Sequence, residues 1–375
     1  MFVCRLQRMM LSMNKSLHVV IMYILVQLGL IFFLYPGEII ESASAGHWLP
    51  IVFGFAVYLF CLWLYLKGMS WGGKKDIVDL YGQLGTTVSA ILLAPVFMYF
   101  IIQIIVTIRA YSEIMSIVFL SNTPLWAIML LLLAVPTYLA NKGMRTIFGA
   151  GVLVACFGLP LVLFITIASF QNVNWHYIFP LVGENVDFFT KASYYRSFFV
   201  YTGSFMFLGF VQPFYTFRTR SVIVTALCLL PMLLCAVYVP ILTFGEATAV
   251  TLFFPFVVTL DVIHINWLMF ERVAVFFLLS LISMMMLLLA LTLWQSVRIM
   301  RQFIPRIPVS CQLIVIAAGI FAVCLSIPNI ESVQHLFSWN LYVRFYLLIA
   351  VPITVYFLGH RAKKEAQHEK TAAGR

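Results

Sequence analysis

Tyr99 and Gln103 lie one helical turn apart inside the long apolar stretch 85–108, which would bring a phenol and a carboxamide to one helix face. Side chains of this kind contact a small polar ligand or gate its access, and they also bridge neighbouring helices in membrane bundles. The spacing leaves both uses open. Arg109 and Glu113 repeat the interval at the end of the same stretch and predict an ion pair, read as a structural or gating bolt. Glu271 and Arg272 are adjacent, so they cannot face each other on a helix and each needs another partner or water.

Other chemistry has little to stand on. The seven cysteines form no CxxC pair and the seven histidines form no HxH or HxxxH cluster, so neither a disulfide framework nor a metal site is expected. No nucleophile elbow, phosphate loop or Walker sequence occurs, and the expectation is a non-enzyme with no cofactor.

The elements that hold these residues are membrane-spanning. At 63% hydrophobic and 10% charged, the chain lacks the polar surface to coat a soluble globule. Ten apolar stretches of spanning length run near 17–43, 49–66, 85–108, 124–141, 147–170, 197–217, 221–244, 272–297, 311–327 and 341–359. With both ends cytoplasmic, 18 of the 23 Lys and Arg fall on the inside segments, leaving Arg109, Lys191, Arg196, Arg272 and Arg344 on the outer side. That bias sets the orientation. It also explains the net charge of +10 without nucleic acid, because the basic groups are spread over six segments. The expected organisation is a cytoplasmic N-terminus at 1–16, one membrane domain at 17–359 and a cytoplasmic tail at 360–375. Within the domain, halves at 17–170 and 197–359 are joined by an outer segment, 171–196. The first apolar run, long and without a small-residue cleavage site, is read as a retained helix rather than a signal peptide.

Two stretches carry helix-breaking residues at matching places. The first runs through Gly29 to Tyr35-Pro36-Gly37, and the sixth through Gly203, Ser204 and Gly209 to Pro213. Paired interruptions in two five-helix halves point to an inverted-repeat transporter fold with a site near the midplane. In such a fold the exposed amides and positive end of a half-helix hold a carboxylate, which suits a zwitterionic amino acid. The same glycines suit close helix packing, and the pattern admits either use.

In order and spacing the chain resembles the spore germination permease family, the B-type membrane subunits of germinant receptors in the amino acid/polyamine/organocation superfamily. The residues that carry the resemblance are Leu28-Gly29 with Leu34-Tyr35-Pro36, Arg109-Ala110-Tyr111-Ser112-Glu113 leading to Asn122-Thr123-Pro124, Gly143, Phe254-Pro255 and Phe270-Glu271-Arg272. The resemblance implies an all-α polytopic protein of about ten helices in a five-plus-five inverted repeat, with the first and sixth helices interrupted. It implies an amino-acid pocket between the first, third, sixth and eighth helices, with Gly29, Leu30 and Tyr99 at the pocket and the sixth-helix break around Gly203, Ser204 and Phe205. Pro36 falls at the first break.

By the same resemblance, the protein senses an amino acid or similar nutrient in the inner spore membrane and acts with A-type and C-type partner subunits. A free-standing amino-acid permease is the alternative, and a subunit whose pocket no longer binds is a third reading. Phe207 stands where many relatives have an acid, Leu281 where they have Trp, and Leu287 and Leu288 where Thr is expected, which implies a greasier pocket. No carboxylate falls in the middle of a span, which weakens proton-coupled transport. The outer segments 171–196 and 245–270 are aromatic enough to pack over the outer face, as a lid or as docking surface for another subunit.

Overall fold

The computed structural model describes residues 15–118, 120–183, 187–261 and 273–373; Glu271 and Arg272, together with 262–270 of the outer stretch 245–270, lie outside them. In lipid a backbone must satisfy its own N–H and C=O groups, and these apolar stretches do so as helices, with no strand among the described residues. The first stretch forms α1 (Lys15–Ile31) and α2 (Tyr35–Ser42), bent by 54° about Phe32–Leu34. Then come α3 (Trp48–Trp71), the short α4 (Ile77–Gly82), α5 (Thr86–Val118), α6 (Leu125–Lys142) and α7 (Met144–Ala168). Past three 3-10 turns, α8 (Ala192–Arg196), α9 (Phe199–Phe205) and α10 (Phe207–Val211) lead into α11 (Thr219–Phe244), α12 (Glu246–Ala249) and α13 (Pro255–Asp261). The chain ends with α14 (Val273–Phe303), α15 (Val309–Ser326), α16 (Ile330–Trp339), α17 (Leu341–Phe345) and α18 (Val351–Ala373). A single π-helical turn, Tyr346–Ala350, joins the last two into one span.

The protein is therefore an all-α multi-pass membrane protein. Among the described residues, eight helices are long and apolar enough to cross a membrane, and nine if the bent pair counts as one span. The sixth apolar stretch folds as α9 and α10, each too short to be counted, and every residue from Phe199 to Val211 is buried.

One interruption has a local cause and the other a contact from a distant helix. Pro36 sits in the first turn of α2, where its missing N–H costs no intrahelical bond, while the last α1 bonds loosen to 3.4 Å at Phe32 and Phe33. The other break falls at Met206, whose carbonyl accepts from the Tyr65 hydroxyl at 3.1 Å. Gly209 permits that approach, since a Cβ there would lie 2.8 Å from Tyr65 Cζ.

α1 packs against α7, α9, α11 and α14, and α5 and α14 are the most enclosed of the long spans. Outward-facing Ile91, Phe157 and Ile167 are exposed, as lipid contact requires, and Trp48, Trp126, Trp175 and Trp339 stand exposed near span ends. Trp71 at the end of α3 stacks near Tyr356 and His360 of α18, which places the last helix's end on the face where α1 begins. We call this the terminal face and its opposite the distal face. On the terminal face Arg298 of α14 pairs with Asp76 and Asp79 at 2.7 Å each, tying α14 to the start of α4. The α6–α7 turn rests on Gly143, whose φ of 91° favours a residue without a side chain.

On the distal face the segment after α7 is tied down: Asn174 N–H donates to Leu242 O at 2.8 Å and Trp48 Nε1 to Leu181 O at 2.9 Å. The ion pair expected of Arg109 and Glu113 forms at 2.5 Å. Arg109 also donates to the Ile327 and Pro328 carbonyls, so the pair bolts α5 to the α15–α16 connection.

Candidate functional site

Where α1 gives way to α2, Leu30, Phe33 and Leu34 wall a small cavity of about 20 Å³. Tyr99, Gln103, Val106 and Thr107 of α5 form a second wall, and Phe199 of α9 closes another side. The last side is made by Phe337, Asn340 and Arg344, from the end of α16 to α17. Its volume suits about one water.

The polar groups at this cavity are buried and only partly satisfied. Arg344 is 1% exposed; its Nη1 donates to Arg196 O at 2.6 Å and its Nη2 to Phe337 O at 3.4 Å, and its Nε has no partner. Gln103 Nε2 and Asn340 Oδ1 are likewise buried without partners. The Phe337 ring lies 4.4 Å from the Arg344 guanidinium, and Phe199 lies 5.9 Å from it. Buried polar atoms are normally paired, so three orphans around one space make it the candidate site for a polar ligand.

On the other side of Phe337 opens a larger, polar cavity of about 400 Å³ on the distal face, lined by Glu38, Glu41, Arg196, Glu331, Gln334 and His335. Arg196 bridges Glu38 at 2.7 Å and Glu41 at 2.9 Å, and so holds α2 to the start of the α8–α9 segment. Phe337 lines both spaces and is the partition between them.

The residues singled out in the sequence are distributed unevenly. Leu30, Tyr99 and Gln103 line the cavity, with Tyr99 and Gln103 on one face as their spacing requires. Gly203 flanks it: a Cβ there would lie 2.7 Å from Gln103 Nε2 and 3.0 Å from Leu30 Cδ1. Gly29 faces α14 instead, where a Cβ would meet Met285 Sδ at 2.9 Å. Ser204 and Phe205 turn toward α3: the Ser204 hydroxyl lies 3.3 Å from the Tyr58 hydroxyl, and the Phe205 ring packs on Tyr58 and Tyr65. Ser204, Phe205 and Gly203 are all helical, with the break one residue further on. Pro36 stands in the first turn of α2, as its position at a break requires.

Among the described residues, none of α14 lines this cavity, where the resemblance leads one to expect an eighth-helix wall. Met284 and Met285 of α14 pack on Gly29, and Asn340 and Arg344, between α16 and α17 and in α17, supply the wall. Phe207, Leu281, Leu287 and Leu288 are buried in the core, and none lines the cavity.

A buried tyrosine chain escaped the sequence reading as well. The Tyr23 and Tyr58 hydroxyls bond each other, Tyr58 stacks on Tyr201 at 4.9 Å, and Tyr201 reaches the Tyr35 hydroxyl at 3.3 Å. No sequence spacing connects residues that meet from three separate spans. Arg344 left a readable signal: a lone arginine early in an otherwise apolar last stretch, and intramembrane charges are rare enough to be functional candidates.

Residues 15–332 match the model of a family described as spore germination protein. No curated protein matches the chain.

Proposed function

The chain belongs to the spore germination protein family, and from that premise we propose that it is the membrane subunit of a germinant receptor. In this reading it binds a small amino acid or related nutrient in the inner membrane of the spore, with both ends cytoplasmic and the distal face outward. The observation that carries it is the cavity at the α1–α2 bend, where Gln103, Asn340 and Arg344 bring unpartnered polar atoms into an otherwise apolar bundle. A ten-span, five-plus-five inverted repeat fits the two broken segments α1–α2 and α9–α10 in corresponding places. A-type and C-type partner subunits would read out occupancy of the cavity.

The first experiment is thermal unfolding of the detergent-purified protein with each of the twenty amino acids, since a ligand that binds only the folded state raises the midpoint. Selective stabilisation supports the reading, and no shift with any of them in a folded protein rejects a self-contained pocket. Uptake of the stabilising amino acid into liposomes by the chain alone would make it a permease. Capture of the partner subunits without uptake supports the receptor.

A further inference from the structure

We infer that Arg344 is the carboxylate anchor of the site, and that with Gln103 and Asn340 it selects a small zwitterion: an α-carboxylate on Arg344 and Gln103, and its ammonium on Asn340. The inference rests on the proposed ligand-binding reading and adds the chemistry of recognition.

Guanidinium carries five N–H donors, and in Arg344 two are taken, both by backbone carbonyls. Among the described residues no carboxylate lies within ion-pairing distance of it, although it is 1% exposed and sits inside a membrane span. A buried cation is strongly unfavourable without a paired counter-charge; Glu38 acts on Arg344 only from beyond ion-pairing distance and is itself bridged to Arg196, and neither carbonyl dipoles nor the Phe337 face brings a full negative charge. Water would satisfy the free Nε–H but would not neutralise the ion. An anionic group does both.

The neighbours define what else the ligand carries. Gln103 Nε2 is a second unpartnered donor at the cavity, complementary to the other oxygen of a carboxylate. Asn340 Oδ1 is an unpartnered acceptor and calls for a donor on the same molecule. The approach adds a filter. The distal cavity sets Glu38, Glu41 and Glu331 against Arg196, an acidic balance that disfavours a bare anion and admits a molecule with no net charge. An anion-seeking interior behind an acidic entrance fits a zwitterion better than either a simple carboxylate or a simple amine.

At about 20 Å³ the inner space cannot hold an amino acid until a wall moves. Phe337 is the wall with room behind it, because its other side borders the distal cavity. It lies in α16, joined to α17 through Asn340 alone. Binding at Arg344 therefore displaces α16 on the distal face, which gives occupancy a visible consequence there.

The test uses the full-length protein in detergent and the amino acid that stabilises it most, alongside that compound's carboxamide, its decarboxylated amine and its des-amino acid. The wild type should bind the amino acid about tenfold or more tightly than any of the three, the scale of one lost charge-assisted contact. In Arg344→Gln the preference of the acid over its carboxamide should fall to about one, the expectation for a site whose charge contact is gone. Gln103→Leu, which keeps the charge, should weaken the acid and leave its preference over the carboxamide above one.

A ligand-independent arm separates this inference from the ligand assignment. Without ligand, Arg344→Met should unfold at the same temperature as wild type or higher, because it removes a buried charge that has no carboxylate within ion-pairing distance. If Arg344→Gln binds the acid as wild type does, or Arg344→Met loses stability while wild-type binding shows no carboxylate preference, Arg344 is a structural tie and the inference fails with the sensing role intact. If no amino acid binds wild type but Arg344→Met is stabilised, the amino-acid reading fails while the unpaired cation stands. If neither occurs, both fail.

Discussion

The Phe337 ring lies 4.4 Å from the Arg344 guanidinium and separates the small inner cavity from the large distal one. One side chain thus shields a buried charge and closes the way to it. Thr107 lies on the inner side of the partition and is buried.

Removing the ring should open that path. In a Thr107→Cys background, Phe337→Ala should raise the rate of labelling by a membrane-impermeant thiol reagent about tenfold or more, as expected if opening becomes easier by about 1.4 kcal/mol. The other described cysteines are distributed between buried and exposed positions away from this cavity, so the parent chain supplies the background rate. The same substitution should cost about 3–5 kcal/mol of stability as a buried Phe→Ala change. Equal labelling rates in a folded variant would show that Phe337 does not limit access.

Gly29 offers a contrast, since its neighbour is a methionine and not the cavity. A Cβ would meet the flexible end of Met285 at 2.9 Å and Met284 Cβ at 3.4 Å. Gly29→Ala should therefore be tolerated with a small shift of Met285, whereas Gly29→Leu should cost about 1–3 kcal/mol from overpacking. Met285→Ala should recover part of that loss in the double variant, because the two changes share one space. Melting midpoints of the four proteins check this. A Gly29→Leu defect in ligand response that persists after stability is recovered would give Gly29 a binding role beyond packing.

How much of this was readable beforehand depends on the range of each interaction. The Pro36 bend, the Arg109–Glu113 pair and the spans other than the sixth are local, written in hydropathy runs and four-residue spacing, and the described residues have them in place, the first span as a bent pair. Tyr99 and Gln103 share a face for the same reason. The wall from Asn340 and Arg344 was not readable, because these residues meet Gln103 only through tertiary packing. In a tally of loop charges Arg344 counts merely as an exception to the bias. The second break was displaced from Gly203–Phe205 to Met206, since its position depends on the Tyr65 hydroxyl arriving from α3.

The terminal-face ties should differ in strength. Asp76 is 1% exposed, accepts from Asp79 N–H at 2.7 Å at the start of α4 and pairs with Arg298. Asp79 pairs with the same arginine from an exposed position, its side chain 48% accessible. Asp76→Ala should cost about 1–3 kcal/mol through the lost cap and the stranded arginine, and Asp79→Asn about 1 kcal/mol or less. High salt should narrow the Asp79 effect and leave most of the Asp76 effect. Equal costs for the two would show that Arg298 is held by neither in particular.

A last prediction concerns pH on the distal face. His47, between α2 and α3, is 3% exposed, and its Nε2 has no partner. Burial pushes its pKa below the ordinary 6.5, aided by nearby Lys191, while the Ile40 and Ala43 backbone pulls the other way. A lowered folded-state value means that the unfolded chain binds the proton more readily. The associated stability is fully present above pH 6.5 and is lost as pH falls below it toward the folded value. The loss approaches at most about 1.4 kcal/mol per pH unit for a single proton. Thermal midpoints of wild type and His47→Gln should therefore converge, or reverse in order, between about pH 7.5 and about pH 5.5, the range over which histidine titrates. Taking the difference between the two proteins cancels the titration of every other group. A difference that stays constant across the range would mean that His47 keeps one protonation state in both the folded and unfolded protein, and that its burial does not make this face acid-sensitive.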